Sequence, residues 1–292
     1  MSQQPAKIPP STIGRPIDLR YASNVYVTIV TVVALIVGGL VQLLQTHDFG
    51  QSMLYGGGIG LSAFFAWALA RELDPDYNRS AVIAALLAPV ALLLYGMTAN
   101  LLPLFLIMLA IRVLNRSTGL PPTLLDRFAI LVLLGLVVYA GHWLAGIFAL
   151  LFFITDMLLA RAFRQSGWWI GSAITVFVLT FLIGRNNLQA STFSDTNVLI
   201  TALLSAIILV ALLLAPKRVT SVGDLTNAPL NFRRIHSARW LTLSFVVAYS
   251  VLSGETTVLD VIPLWASLLG FAINALLWLK LLSRRLANDA SR

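Results

Sequence analysis

Apolar residues gather into ten runs separated by short polar gaps: Asn24–Leu44, Met53–Ala70, Ala81–Tyr95, Leu101–Leu114, Phe128–Ala140, Leu144–Ala160, Trp169–Gly184, Val198–Ala215, Arg239–Leu252 and Pro263–Leu282. Their length is the informative property. A helix needs about 20 residues to cross a bilayer core, with about 17 as a working minimum. Two stretches, 81–114 and 128–163, read either as one long helix or as two short ones with a tight turn. A single helix of about 34 residues would reach about 50 Å and overshoot a core of about 30 Å even when tilted. Breakers sit in both stretches: Gly96, Asn100 and Pro103 in the first, Gly141, His142 and Trp143 in the second. The pattern therefore predicts an all-α, polytopic membrane protein of about ten transmembrane helices in five hairpins, spanning residues 23–284. A polar, Pro-containing tail (1–22), with no apolar core and so no signal peptide, precedes the bundle, and a short tail (285–292) follows it.

Composition agrees. The chain is 58% hydrophobic and 11% charged, against about 25% charged residues in soluble domains. Lipid must be the solvent for much of its surface. Charge then orients the helices. Of the 20 Lys and Arg residues, 19 lie in the tails or at alternate gaps. The even-numbered runs end at or beside Arg71, Arg112, Arg161, Lys217 with Arg218, and Lys280 with Arg284 and Arg285, whereas the other gaps hold only Arg185. Cytoplasmic loops are enriched in Lys and Arg, so the reading is a plasma (inner) membrane protein with both termini cytoplasmic. A net charge of +8 raises nucleic acid as a partner. The basic residues stand singly or in pairs beside apolar runs, however, which suits the bilayer and its anionic phospholipid headgroups and not nucleic acid. Cysteine is absent, and His47, His142 and His236 fall in different gaps. Neither disulfide, zinc nor haem is expected. Arg outnumbers Lys 17 to 3, which points to a GC-rich bacterial genome.

Two features concern packing. Gly56 and Gly60 form a small-xxx-small face for close helix approach; no Lys-Ser/Thr follows to make the stretch a phosphate loop. Tyr26, Tyr95, Trp143, Trp168, Trp169, Trp240 and Trp265 fall near run ends, where interfacial anchors belong.

Candidate chemistry is concentrated in two basic-side loops. Glu72, Asp74 and Asp76 lie within five residues and could hold a divalent cation through oxygen ligands. The competing reading is a turn at Asp74-Pro75-Asp76, with Ser80 capping the next helix and the carboxylates neutralising neighbouring Arg. Arg112 and Arg116, with Ser117 and Thr118, could grip a phosphate, or could serve as cations at a helix C-terminus. The two clusters could also pair with each other. Asp156 lies well inside a run, as an ion or proton site or as a partner of Arg161 or Arg112. Asn274 is a further polar group within a span. On the other side, His47-Asp48, His142, Asp195, Glu255 and Asp260 occupy separate turns, and nothing in their spacing brings them together. No G-x-S-x-G, HExxH or Walker sequence occurs.

Three functions fit this pattern. The first is a carrier of a small metabolite or lipid, with Asp156 and Asn274 along its path. The second is a membrane enzyme acting on a phosphorylated lipid, with a cation on Glu72, Asp74 and Asp76 and the phosphate on Arg112 and Arg116. The third is a non-catalytic assembly or accessory protein. Oligomeric state leaves no mark on the sequence.

Overall fold

A computed structural model describes residues 9–161, 163–184, 195–252 and 258–290, with side chains described outside 163–166 and 278–290. Among the described residues there are ten α-helices: α1 (Ala22–Thr46), α2 (Phe49–Leu73), α3 (Asn78–Tyr95), α4 (Leu101–Asn115), α5 (Leu124–Tyr139), α6 (Trp143–Ala160), α7 (Phe163–Gly184), α8 (Asp195–Leu214), α9 (Phe232–Leu252) and α10 (Ile262–Ala290). Eight of them are long and apolar enough to cross a membrane. The exceptions are α4 and α5, at 15 and 16 residues. Both ambiguous stretches break where the sequence carries its breakers. Gly96 closes α3 at φ 65°, and Gly141 at φ 94° stands between α5 and α6. Arg185 and Glu255 lie outside the described residues, as do the side chains of Lys280, Arg284 and Arg285.

One boundary differs from the apolar pattern. The ninth helix begins at Phe232, about two turns before the run that starts at Arg239. Its first turns carry Arg233, Arg234 and Arg239, so they read as a gap. Arg234 and Arg239 are nevertheless buried, because their partners come from other helices.

The exterior is apolar. Leu40, Leu54, Leu94, Phe128, Leu182 and Leu213 are among many large side chains left exposed, as expected where lipid replaces water as the solvent. Buried aromatic residues fill the interior, including Trp265, Tyr249, Phe152, Phe153 and Phe245. Trp169 and Trp265 belong to this core and are not interfacial anchors.

Apolar surface gives no net drive for helices to associate within lipid, so close packing must hold them. The α1–α2 pair supplies it. A Cβ at Gly56 would lie 2.5 Å from the Leu35 carbonyl oxygen, and one at Gly60 would lie 2.8 Å from that of Thr31. The small-xxx-small face thus operates between α1 and α2. A second close approach joins α10 to α3, where a Cβ at Gly270 would collide with the Ser80 carbonyl oxygen. Helices α1, α2, α3 and α10 form one packed group, and α4 to α7 with α9 form another.

Residues 9–21 do not hang free as a tail. Pro9–Asp18 forms a strap across the end of the bundle where α2, α4 and α6 finish. Thr12 donates its backbone N–H to Asp126 (2.9 Å), Thr118 donates its hydroxyl to the Thr12 carbonyl (2.8 Å), and Thr123 donates to that of Pro10 (2.9 Å). The α8–α9 loop joins the same layer, its Asp224 and Leu225 N–H groups reaching the Ser117 and Thr118 carbonyls.

Candidate functional site

Among the described residues, the basic end of the bundle buries four carboxylates; Asp126 holds the strap, and each of the other three is met by arginine from another element. Glu72, in the last turn of α2, accepts from Arg15 of the strap and Arg112 of α4, both at 3.1 Å, and from the Ser117 hydroxyl. Arg15 continues to Asp224 at 2.6 Å, which ties strap, bundle and α8–α9 loop together. Asp156 of α6 holds Arg116 through both oxygens (3.0 and 3.3 Å) and Arg234 of α9 through one (2.5 Å). Asp74, the C-cap of α2, faces Arg239 of α9 at 3.5 Å and accepts from Asn274 of α10 at 3.1 Å and from the Ser80 hydroxyl. Ser80 therefore acts toward Asp74, while Tyr77 occupies the α3 N-cap.

These positions show what the candidate residues do locally. Glu72, Asp74 and Asp76 face three different partner sets. Asp76 takes the backbone N–H groups of Thr220 (3.0 Å) and Ser221 (2.8 Å) and the Ser221 hydroxyl (2.7 Å). Burial opposes its ionisation, but the Ser221 and Thr220 donors together hold its carboxyl below the usual carboxylate range. At Asp74 burial prevails over the Ser80, Arg239 and Asn274 contacts and holds the carboxyl above that range. Arg112 and Arg116 diverge. The helix ends at Asn115, and Arg116 is left-handed at φ 51°, so its side chain turns to Asp156 while that of Arg112 reaches Glu72 and the Ile13 carbonyl. Asp156 does have basic partners, although they are Arg116 and Arg234 instead of Arg161 or Arg112.

Two cavities flank the Arg15–Glu72 pair. One, of about 320 Å³, is lined by Asn115, Ser117, Ser221 and Ile235 along with Arg15, Arg71 and Glu72. Among the described residues the buried Asn115 Oδ1 has no hydrogen-bond partner. The other is an open groove of about 620 Å³ between strap and α2, lined by Phe64, Trp67, Ala68, Arg71, Arg15 and Arg112 among others. Arg71 borders both cavities. It donates to Asn78 Oδ1, and among the described residues it meets no carboxylate. A third cavity of about 130 Å³ lies beside Asp74, Arg239, Phe271 and Asn274.

The opposite end of the bundle holds a cluster that spacing gave no reason to expect. His142, at the α6 N-cap, places one ring nitrogen 2.9 Å from the Tyr249 hydroxyl and the other 3.0 Å from the Asn100 amide. Asn100 also donates its backbone N–H to the Asp260 carbonyl at 2.9 Å. Burial lowers the His142 pKa below the usual value, and the Asp260 charge opposes this only in part. Tyr249 is fully buried. Nothing in the sequence signals this convergence, because Tyr249 lies 107 residues from His142.

Compared with protein-family models, with curated proteins and with solved structures, the chain matches none.

Proposed function

We propose that this chain is a membrane carrier for an anionic lipid or lipid-like metabolite, loaded from the leaflet at its basic, cytoplasmic end. The observation that carries this reading is the open groove beside α2. It combines an aromatic wall, Phe64 and Trp67, with Arg71, a cation that donates to Asn78 and has no carboxylate within ion-pair distance among the described residues. Ligand sites generally join an apolar lining to a few placed polar groups. The two other arginines of the groove, Arg15 and Arg112, are held by Glu72 and Asp224. Glu72 and Asp156 each accept from two arginines, so their role in this reading is to hold helices in register around the groove. Asn274 has the same role, through Asp74.

A second reading is a membrane enzyme acting on a phosphorylated lipid at the same face. It is favoured by Asp74, whose carboxyl is held above the usual range and borders a cavity together with Arg239 and Arg218. A group of that kind could donate a proton. A divalent cation on Glu72, Asp74 and Asp76 together would require all three to leave their present partners.

The test is reconstitution into vesicles containing a phospholipid labelled on its headgroup. The carrier reading expects label to move between leaflets faster than in protein-free vesicles, and lipid recovered afterwards to be unchanged. Equal rates would end the carrier reading. A chemically altered lipid would establish the enzyme in its place.

A further inference from the structure

We propose that the groove between strap and α2 binds a phosphodiester amphiphile of the glycerophospholipid type, with its phosphate on Arg71 and the root of its chains along Phe64 and Trp67. This names the substrate class of the carrier proposed above and rests on that reading. The first support is the order of residues on α2. Phe64, Trp67, Ala68 and Arg71 fall at i, i+3, i+4 and i+7, which is one helical face, and all four line the groove. Along that face the lining passes from aromatic to cationic over about 10 Å at about 1.5 Å per residue. This follows the gradient of an amphiphile from chain to headgroup. Ala68 leaves the space that a larger side chain would fill.

The charge balance narrows the headgroup. Arg15, Arg71 and Arg112 border the groove against Glu72 and Asp224, while Asp18 at its mouth is paired with Arg20. Glu72 and Asp224 engage Arg15 and Arg112. With Arg20 counted beside Asp18, one positive charge is in excess, and Arg71 is the groove arginine with no carboxylate within ion-pair distance among the described residues, although the Glu72 and Asp224 charges reach it. A phosphodiester carries a single negative charge, whereas a phosphomonoester carries about 1.5 to 2 near pH 7. A guanidinium can meet two phosphate oxygens in its plane. The position also fits, since Arg71 stands in the last turn of a helix long enough to span a membrane, where headgroups lie.

The full-length protein, purified in detergent, would be titrated with dioleoylphosphatidylglycerol and examined by native mass spectrometry. Parallel titrations would use dioleoylglycerol, which lacks the phosphate, and inorganic phosphate, which lacks the chains. The expected result is one phosphatidylglycerol per protein, with no comparable retention of dioleoylglycerol. Arg71→Gln should weaken retention by about tenfold, the loss of roughly 1.4 kcal/mol. Val222→Trp, at an exposed loop position lining the groove, should weaken it by filling space while Arg71 stays intact. If Arg71→Gln does not fold, Val222→Trp alone decides the matter. Retention equal to wild type in the folded variants, or equal retention of dioleoylglycerol, overturns the site. Displacement of the lipid by millimolar inorganic phosphate would identify a phosphate site and overturn the amphiphile. Retention that depends on Arg71, with no lipid movement in vesicles, would reject the carrier and keep the site. Lipid movement undiminished in Arg71→Gln would do the reverse.

Discussion

Both ends of this bundle bury polar groups between helices, but they do so with different chemistry. At the basic end, Glu72, Asp74 and Asp156 bind arginines from α4, α9, the strap and the turn that follows α4. At the far end, His142, Tyr249 and Asn100 are joined by hydrogen bonds. The difference follows from where the charges lie. Arginine concentrates on one face of a membrane protein, and where several short loops gather such residues, carboxylates are needed among them. The far end carries few basic residues and can be tied with neutral donors and acceptors. Sidedness of charge thus decides which kind of polar contact each end can build.

The largest expected contrast comes from removing the central acceptor at each end. Asp156→Ala leaves Arg116 and Arg234 without their counter-charge in a largely buried position. Breaking one side of a buried ion pair costs about 3–5 kcal/mol. Tyr249→Phe removes the hydrogen bond to one ring nitrogen of His142, at about 1–3 kcal/mol. Thermal unfolding of the two purified variants, followed by tryptophan fluorescence in one detergent, should rank Asp156→Ala well below Tyr249→Phe. Equal losses would mean that the ion pairs are no more than an alternative form of hydrogen bonding.

A smaller effect should come from the helix contact that sets the charged layer. Gly270 touches the backbone of α3 at Ser80, and Ser80 and Asn274 both hold Asp74. Gly270→Ala must move α10 from α3 and draw Asn274 off Asp74, at about 1–3 kcal/mol for overpacking. Gly57→Ala on α2, with nothing near its would-be Cβ, is the matched control and should be close to neutral or slightly stabilising. A loss of similar size in both variants would assign the effect to glycine itself and not to the contact.

The two ends also differ in how much of them could be read from the sequence. Apolar length and the Gly and Pro breakers reveal the helices, and Gly56 with Gly60 reveals the α1–α2 contact, because each of these signals is local. At the basic end the residue types were legible and the pairings were not. Arg116 and Arg161 both adopt left-handed caps, at φ 51° and 52°, and a cap of that kind redirects a side chain in a way spacing does not encode. Arg234 and Arg239 were hidden for a related reason. The start of their helix looks polar from its own sequence, and the carboxylates and carbonyls that let it be buried stand on other elements. The groove depends on the strap, whose contacts with residues 117–126 lie more than 100 positions away. At the far end His142 was visible as a candidate, but nothing linked it to Tyr249 or Asn100, since an isolated His, Tyr and Asn carry no pattern until folding joins them.

The finest distinction is between two single residues, Asp76 and His142, in the pH at which each responds. Asp76, on the basic end, has a lowered carboxyl pKa, so folding favours its ionised form. Its contribution is complete above the ordinary Asp value of about 3.9 and fades as pH falls through the lower folded value. His142, on the far end, also has a lowered pKa, but folding there favours the neutral ring. Below about pH 6.5 the unfolded chain takes up a proton at this residue that the folded chain resists, so stability declines as pH falls from that point. Melting curves for wild type, Asp76→Asn and His142→Gln between pH 8 and pH 3 would separate the two. The wild-type advantage over Asp76→Asn should hold until pH drops below about 4, and it should be about 1 kcal/mol or less for a partly exposed group. His142→Gln should flatten the decline between pH 7 and pH 5 and leave the lower transition in place. If His142→Gln instead removed the fall below pH 4, or Asp76→Asn the one near pH 6, the assignment of neutral chemistry to one end and ionic chemistry to the other would be reversed.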